Sequence, residues 1–505
     1  MFAAATKRKG KKPYLLKARF LLDCQPKAHD TSAMNPRNCL AGIIWLFAGL
    51  ALNFSDLFAQ EQPTPIRLQP GPHLFLDDFL IQQSSNVVRR IDSPRRDLTQ
   101  PVVTGKEDGN FQPYVTVLRE PQTQRFRMWY NVPVNGGQSH LACIDSDDGI
   151  HWIRPRRVLQ IPARIAFGAS VLDEGPAFID PARRFKFAWY NGGMMMARSA
   201  DGLNWTADPP HPVITGINDI LHLAHDSPRK RYIAVFGFPS RPEDGYKGKT
   251  QNAPAGYRRC VGQSTSTDGL QWTSPQRIFA PDSEDEGITE FYSAGGVICR
   301  GEMLIGLLKV LRDDLPCDQG GKVDGIGYTV LAWTHDGEHW QRDRQPFFDR
   351  NHEKGTWDRA MAWMDYQLPI GDEIFLYYGG YARGHKVERF TERQIGLVRI
   401  KRDRYVAHQA QGTGILLSRL VTIEGQSLAL NVDASRGAAR VQILDLKNRP
   451  VSGFRFADCA SVTADALEAS LNWKRPLKDL QGKPVRLEIE LRNADLFAME
   501  VKSNP

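Results

Sequence analysis

Cysteine is scarce in this chain, with seven among 505 residues and none in a Cys-x-x-Cys pair. That spacing excludes the common zinc and dithiol motifs. Five of the seven (Cys143, Cys260, Cys299, Cys317 and Cys459) are scattered and odd in number, so spacing identifies no disulfide. The chain also lacks a Walker-type phosphate loop, a Gly-x-Gly-x-x-Gly turn and a His-Glu-x-x-His pair. Nucleotide, dinucleotide and zinc-protease chemistry therefore have no foothold, and no metal or cofactor is expected.

A basic surface is lacking too, despite a formal charge of +8. Residues 1–33 hold eight Lys and Arg against two Asp, and removal of the first 59 residues leaves about +2, which gives no reason to expect nucleic acid. Met34 opens a second start: Asn35-Pro-Arg37, then an apolar run to Leu52, then Leu57-Phe-Ala59 before Gln60. A charged n-region, an apolar h-region and a small-residue cleavage site form a secretory signal. We expect translation from Met34, a signal peptide over 34–59, and a secreted or periplasmic mature chain. The apolar run is short for a transmembrane helix, so no membrane span is expected in the mature chain.

What is abundant is repetition. Ser146-Asp-Asp148-Gly-Ile-His-Trp152 returns as Ser199-Ala-Asp201-Gly-Leu-Asn-Trp205, Ser266-Thr-Asp268-Gly-Leu-Gln-Trp272 and Thr334-His-Asp336-Gly-Glu-His-Trp340. Recurrence of one phrase along a chain marks a supersecondary unit stacked several times. Asp-Gly supplies a tight turn, because Gly accepts positive φ and Asp bonds nearby backbone. The Trp anchors the return strand. These residues are expected to hold units together rather than to do chemistry.

A strand, a polar turn and a bulky strand precede each phrase. Examples are Pro121-Gln-Thr-Gln-Arg-Phe126 and Asp180-Pro-Ala-Arg-Arg-Phe185. Five such hairpins follow first strands expected at 114–118, 176–179, 221–224, 294–299 and 362–368. Four strands per unit fit a propeller blade, so the expected fold is all-β, a five-bladed β-propeller over residues 60–410. The segment His73 to Ile81 is expected to close the ring, which would remove free edges. After Gln411 short alternating strands with turn signals predict a small C-terminal β-sandwich over 411–505.

The blade phrase and the propeller followed by a sandwich resemble the superfamily of glycoside hydrolase families 32, 43, 68 and 117. Leu74-Phe-Leu-Asp-Asp-Phe-Leu-Ile81, Arg125-Phe-Arg-Met-Trp-Tyr130 and Glu290-Phe-Tyr292 are most similar to secreted bacterial family-32-like proteins. The resemblance implies carboxylates projecting into a central cavity from the inner strands. Glycoside cleavage needs them: one carboxyl protonates the leaving oxygen, and another attacks or activates water.

Acids near the expected inner-strand starts are therefore the candidates. Glu290 is the expected general acid, its pKa raised by the apolar bodies of Phe291 and Tyr292. Asp219 is the expected stabiliser or base, and Asp173 or Glu174 would complete the set. Asp108, Asp77 and Asp78 are further acids. Gln112, Tyr292, Trp357 and Asp358 are expected to bind substrate; Gln112 stands where the family places Asp-Pro, and the Asn-Asp-Pro-Asn-Gly, Arg-Asp-Pro and Glu-Cys phrases of family 32 are absent. Trp357 and Trp363 are candidates for stacking on sugar, while Trp129 and Trp189 fit a core. His222, His225 and His352 read as structural. Arg89-Arg90 and Arg95-Arg96 suit an anionic sugar or a solvated face. Three functions stay open: a glycosidase acting on a carbohydrate substrate, a carbohydrate-binding propeller without catalysis, and a glycoside phosphorylase.

Overall fold

The computed structural model describes residues 64–108, 112–134, 138–248, 255–385, 387 and 393–503. The expected presequence and signal peptide lie outside these. The described residues are nearly all β, with one four-residue helix, Gly105–Asp108, and a few 3-10 turns.

Five antiparallel meanders follow one another. The first comprises Gln112–Arg119, Phe126–Val134, Gln138–Ser146 and Arg157–Val158; the second Phe167–Asp173, Phe185–Tyr190, Met194–Ser199 and Thr206–Ala207. The third comprises Leu221–Asp226, Arg231–Pro239, Arg259–Ser266 and Gln276–Phe279. The fourth (Thr289–Arg300, Met303–Arg312, Ile326–Thr334, Gln341–Arg342) and fifth (Met361–Ile370, Glu373–Tyr381, Gln394–Lys401) share a seven-stranded sheet through one parallel pairing, Gly327 with Met361. The first strands of the five contact each other in sequence, and the fifth returns to the first.

Side-chain alternation explains why the meanders stack. In Phe126–Val134, Met128 and Tyr130 enter a core shared with Phe375 and Tyr377 of the fifth meander, while Trp129 enters one shared with Phe185 and Phe187 of the second. Each meander thus buries both faces, as period-2 strands require when neither face meets water. Comparable cores lie between second and third, third and fourth, and fourth and fifth.

The four Asp-Gly phrases stitch the meanders together. In each, the Ser or Thr hydroxyl bonds the Asp carboxylate and accepts the Gly N–H, and one Asp oxygen accepts two further backbone N–H groups. The Gly carbonyl then receives a donor from the preceding meander in three cases. Tyr377 donates to Gly149 at 2.8 Å, Trp129 Nε1 to Gly202 at 2.8 Å and Arg231 to Gly337 at 3.2 Å. Their expected structural role is borne out. Burial is the largest single effect on the Asp201 carboxyl and raises it, but the hydrogen bonds from Asn204, Leu203 and Ser199 together outweigh burial and hold the group down to about 2. Asp201→Ala is expected to cost about 1–2 kcal/mol, the scale of charge-assisted bonds reduced by solvent exposure, as read by urea unfolding.

Two expected strands are corrected. Residues 176–179 form a turn, and the first strand of the second meander is Phe167–Asp173. Gly175, at φ +87°, ends that strand ahead of Pro176. The true strand opens with Phe167 followed by Gly-Ala-Ser, three small residues that carry little β signal. The segment 73–81 does not close the ring. Gly71–Leu74 pairs with Arg486–Lys502, and Ile81–Ser85 with Val406–Ser418. Its alternation has two apolar faces: Leu74 and Leu76 join the core between the fourth and fifth meanders, and Phe75 and Leu80 the C-terminal core. The open edge of the fifth meander is met instead by the backbones of Arg95 and Val103, which bridge Arg399 and Ile395. The C-terminal strands Val406–Ser418, Ser427–Asp433, Ala438–Leu444, Asp465–Ser470 and Arg486–Lys502 form an eight-stranded sheet together with Gly71–Leu74, Ile81–Ser85 and Val88–Ile91. None of the described helices is long and apolar enough to cross a membrane.

Candidate functional site

Strand register separates the two ends of the cycle. Asp173 lies opposite Phe185, and Phe185 opposite Ser199, so Asp173 shares an end with the Asp-Gly turns. Glu290 lies opposite Leu311 and therefore sits at the other end of its meander, away from Thr334. Asp219 precedes Leu221–Asp226 at that same end. Its loop is pinned by Asn218 N–H to Gly237 O at 2.7 Å and by Gly237 N–H to Ile220 O at 2.8 Å.

One arginine joins the two acids. Arg259 opens its strand after Tyr257 and Arg258, and its backbone N–H donates to Glu290 Oε2 at 3.2 Å. Its Nη1 lies 3.3 Å from Asp219 Oδ1, and its Nε 3.9 Å from Glu290 Oε2. The guanidinium stacks over Tyr292 at 4.4 Å. Tyr292 stacks on Trp363 at 4.7 Å, and Tyr381 meets Trp363 edge-on at 5.9 Å with Arg393 over its own ring. Tyr292 sits in a register irregularity of its strand. Such bulges re-aim side chains.

Glu290 is fully buried, and its Oε1 has no hydrogen-bond partner among the described residues. Burial pushes its carboxyl above the usual range, opposed by the Arg259 cation and assisted by the nearby Asp313. The elevation is as expected from sequence. Tyr114, packed against the same cluster, is pushed well up by burial.

A second buried polar group lies close by. Lys309 ion-pairs with Asp365, whose other oxygen accepts the Val115 N–H at 2.5 Å. Lys309 also faces the Tyr114 ring at 5.8 Å. This single cluster ties first strands of the first and fifth meanders to the second strand of the fourth. His222 is buried nearby, its ring 6.0 Å from Tyr366 and its pKa driven down to about 3 by burial, with Lys309 adding to the effect. A depressed base destabilises the fold in acid, because the unfolded chain protonates first, near 6.5. Stability should therefore fall as pH drops from 6.5 toward 3. At pH 4 the loss due to His222 is expected to be about 3 kcal/mol. Denaturation of wild type and His222→Gln at pH 7 and pH 4 would expose it: the variant should lose less.

Asp173 and Glu174 lie at the turn end, and the remaining sequence candidates have partners of their own. Asp173 is held bidentately by Arg184, at 2.8 and 2.7 Å. Glu174 pairs with Lys186 and Tyr232. Both belong to the turn end because the true first strand runs ahead of them, not after them. Asp358 accepts from Arg96 at 2.7 Å and from Tyr378 at 3.1 Å, and Trp357 lies on Tyr378 at 5.3 Å. Both are thus engaged by Tyr378 of the fifth meander, and Asp358 also by Arg96 from ahead of the first. The Gln112 side chain lies outside what the structure describes; its backbone pairs with Asn131. Asp77 accepts from Trp333 and faces His335 at 3.0 Å. Trp129 and Trp189 are core residues, as expected. Arg89 pairs with Asp343, Arg90 with Asp92 and Asp495, and Arg96 with Asp358. The five described cysteines are free thiols.

Sequence reasoning missed Arg259, Tyr114, Lys309 and Asp365. Lys309 did carry a signal: it is a lone cation inside the apolar strand Met303–Arg312.

No protein-family model matches the chain, and no curated protein does. Solved structures are similar at low identity. The Bombyx mori GH32 beta-fructofuranosidase is 10% identical, with 82% of this chain and 96% of that one covered, at a TM-score of 0.39. A glycosyl hydrolase from Bacteroides ovatus is 14% identical, with 68% and 98% covered, at 0.38. An N-acetylgalactosamine deacetylase from F. plautii, in complex with blood group B trisaccharide, is 16% identical, with 67% and 96% covered, at 0.37. At such scores the functional reading rests on the residues of the site.

Proposed function

We propose that this protein is an exported glycoside hydrolase, built as a five-bladed β-propeller of the five meanders over 112–401, with a C-terminal β domain that also takes in the strands between residues 66 and 91. Glu290 is its general acid. Asp219 is the base, nucleophile or charge stabiliser, and Tyr292 lines the sugar site. The observation that carries this reading is Glu290 itself. A buried carboxyl whose pKa is raised by burial, with one oxygen unpartnered among the described residues, suits proton donation to a leaving oxygen. Its neighbour Asp219 is more exposed and ion-paired, so the two acids occupy unlike environments. Acid and base roles divide in that way.

A glycan-binding protein without catalysis is the second reading. It is favoured by Asp173 and Glu174, which are locked by Arg184, Lys186 and Tyr232 at the opposite end. Incubation of the purified protein with fructans, arabinans and algal polysaccharides separates the two. Released sugar supports the hydrolase. Binding without release from any substrate supports the second reading.

A further inference from the structure

We infer that Arg259 is a positioning residue that fixes which oxygen of Glu290 acts, holding Oε2 with its backbone N–H while its guanidinium holds Asp219, so that Oε1 is the atom that faces a ligand. This rests on the reading of Glu290 as the acid.

The geometry leaves the two oxygens unequal. Oε2 accepts the Arg259 N–H at 3.2 Å and faces the guanidinium at 3.9 Å. An oxygen that receives an N–H is an acceptor, and a cation alongside it repels a proton there. Oε1 is buried and has no partner among the described residues. Buried polar atoms are rarely left unpaired, and an orphan inside a cluster of aromatic and charged side chains points to a ligand group that completes it. A neutral carboxyl with Oε2 engaged as acceptor carries its proton on Oε1. The ligand atom that meets Oε1 is therefore an acceptor, such as a glycosidic oxygen, and the proton passes from Oε1 to that oxygen as its bond to the sugar carbon breaks.

Arg259 also explains how both acids keep one arrangement. Its side chain is clamped between Asp219 on one side and the Tyr292 face beneath. A planar guanidinium can meet carboxylates with its edge and a ring with its face, in one fixed geometry that an ammonium does not impose. The charged and titratable groups around Glu290 are Arg258 and Arg259 from the third meander, Tyr257 and Asp219 beside them, and Asp313 from the fourth. Arg259 is the nearest cation of this set with a guanidinium contact to both acids.

The test uses Arg259→Lys and Arg259→Met in the full chain, read two ways. By infrared difference spectroscopy against Glu290→Gln, the protonated-carboxyl band should titrate at higher pH in Arg259→Met than in wild type, with Arg259→Lys between them. On a cleavable glycoside kcat should fall about 10–100-fold in both variants with little change in KM, since one positioning contact is lost. The alkaline limb of the rate profile should move up in Arg259→Met. An unchanged or lowered carboxyl midpoint would overturn the inference. If no glycoside is cleaved at all, the reading of function fails while the infrared result still decides the role of Arg259. Circular dichroism and melting of each variant establish that it is folded.

Discussion

Glu290→Gln is expected to lower kcat on any cleavable glycoside about 10²–10⁴-fold, the contribution of a positioned general acid. Gln keeps the volume and accepts the Arg259 N–H through its carbonyl, so substrate binding should be retained. A substrate whose leaving group needs no protonation, such as a nitrophenolate, should recover much of the loss. The same substitution should stabilise the fold at neutral pH. The folded carboxyl holds its proton above the unfolded value of 4.5 because burial disfavours the charge. The unfolded chain therefore releases its proton first as pH rises, and native stability declines above that value. Gln removes the decline. Melting temperatures should favour Glu290→Gln at pH 7 and converge with wild type near pH 4. Equal kcat in the variant would remove Glu290 from the reaction, and a lower melting temperature at pH 7 would show its carboxylate to be stabilised.

Breaking the Lys309–Asp365 pair should produce the largest loss of stability. Both side chains are buried, and together they join strands of three meanders. Removal of one partner strands the other charge in an apolar interior, at a cost of about 3–5 kcal/mol. Lys309→Met and Asp365→Leu should each fall in that range by chemical denaturation. Asp365→Leu additionally deprives the Val115 N–H of its acceptor. The double variant should recover part of the loss, because no uncompensated charge remains, and a double-mutant cycle gives the coupling. Additive losses would show that the two charges do not depend on each other.

Much of the architecture is written in local patterns. The Asp-Gly phrases form the expected turns because a Ser hydroxyl, an Asp carboxylate and a Gly of positive φ satisfy one another within five residues. Met128, Trp129 and Tyr130 alternate in a way that already demands a core on each face. Failures arose where the local signal was weak or shared. Phe167–Asp173 holds Gly-Ala-Ser after its first residue, which weakens its strand signal, and the apolar stretch at 176–179 follows a glycine and begins with a proline. The segment at 73–81 has strand character, but strand character does not choose a partner. It found two cores instead of an open edge.

The candidate site divides along the same line. Glu290 beside two aromatic residues was legible as a buried acid, because a strand opening with such residues is itself buried. Its coupling to Asp219 through Arg259 was not. Those residues come from three separate stretches, and only the packing of the third meander against the fourth brings a backbone N–H, a guanidinium and two carboxylates together. Lys309 and Asp365 show the same limit: each is an anomaly in an apolar strand, and each is explained only by the other. The sequence by itself determined the repeating β unit, its turns, its two-sided burial and the unusual acid. The tertiary structure alone decided which acids share an end and which cation binds them, since electrostatic partners act through space and leave no periodicity in the chain.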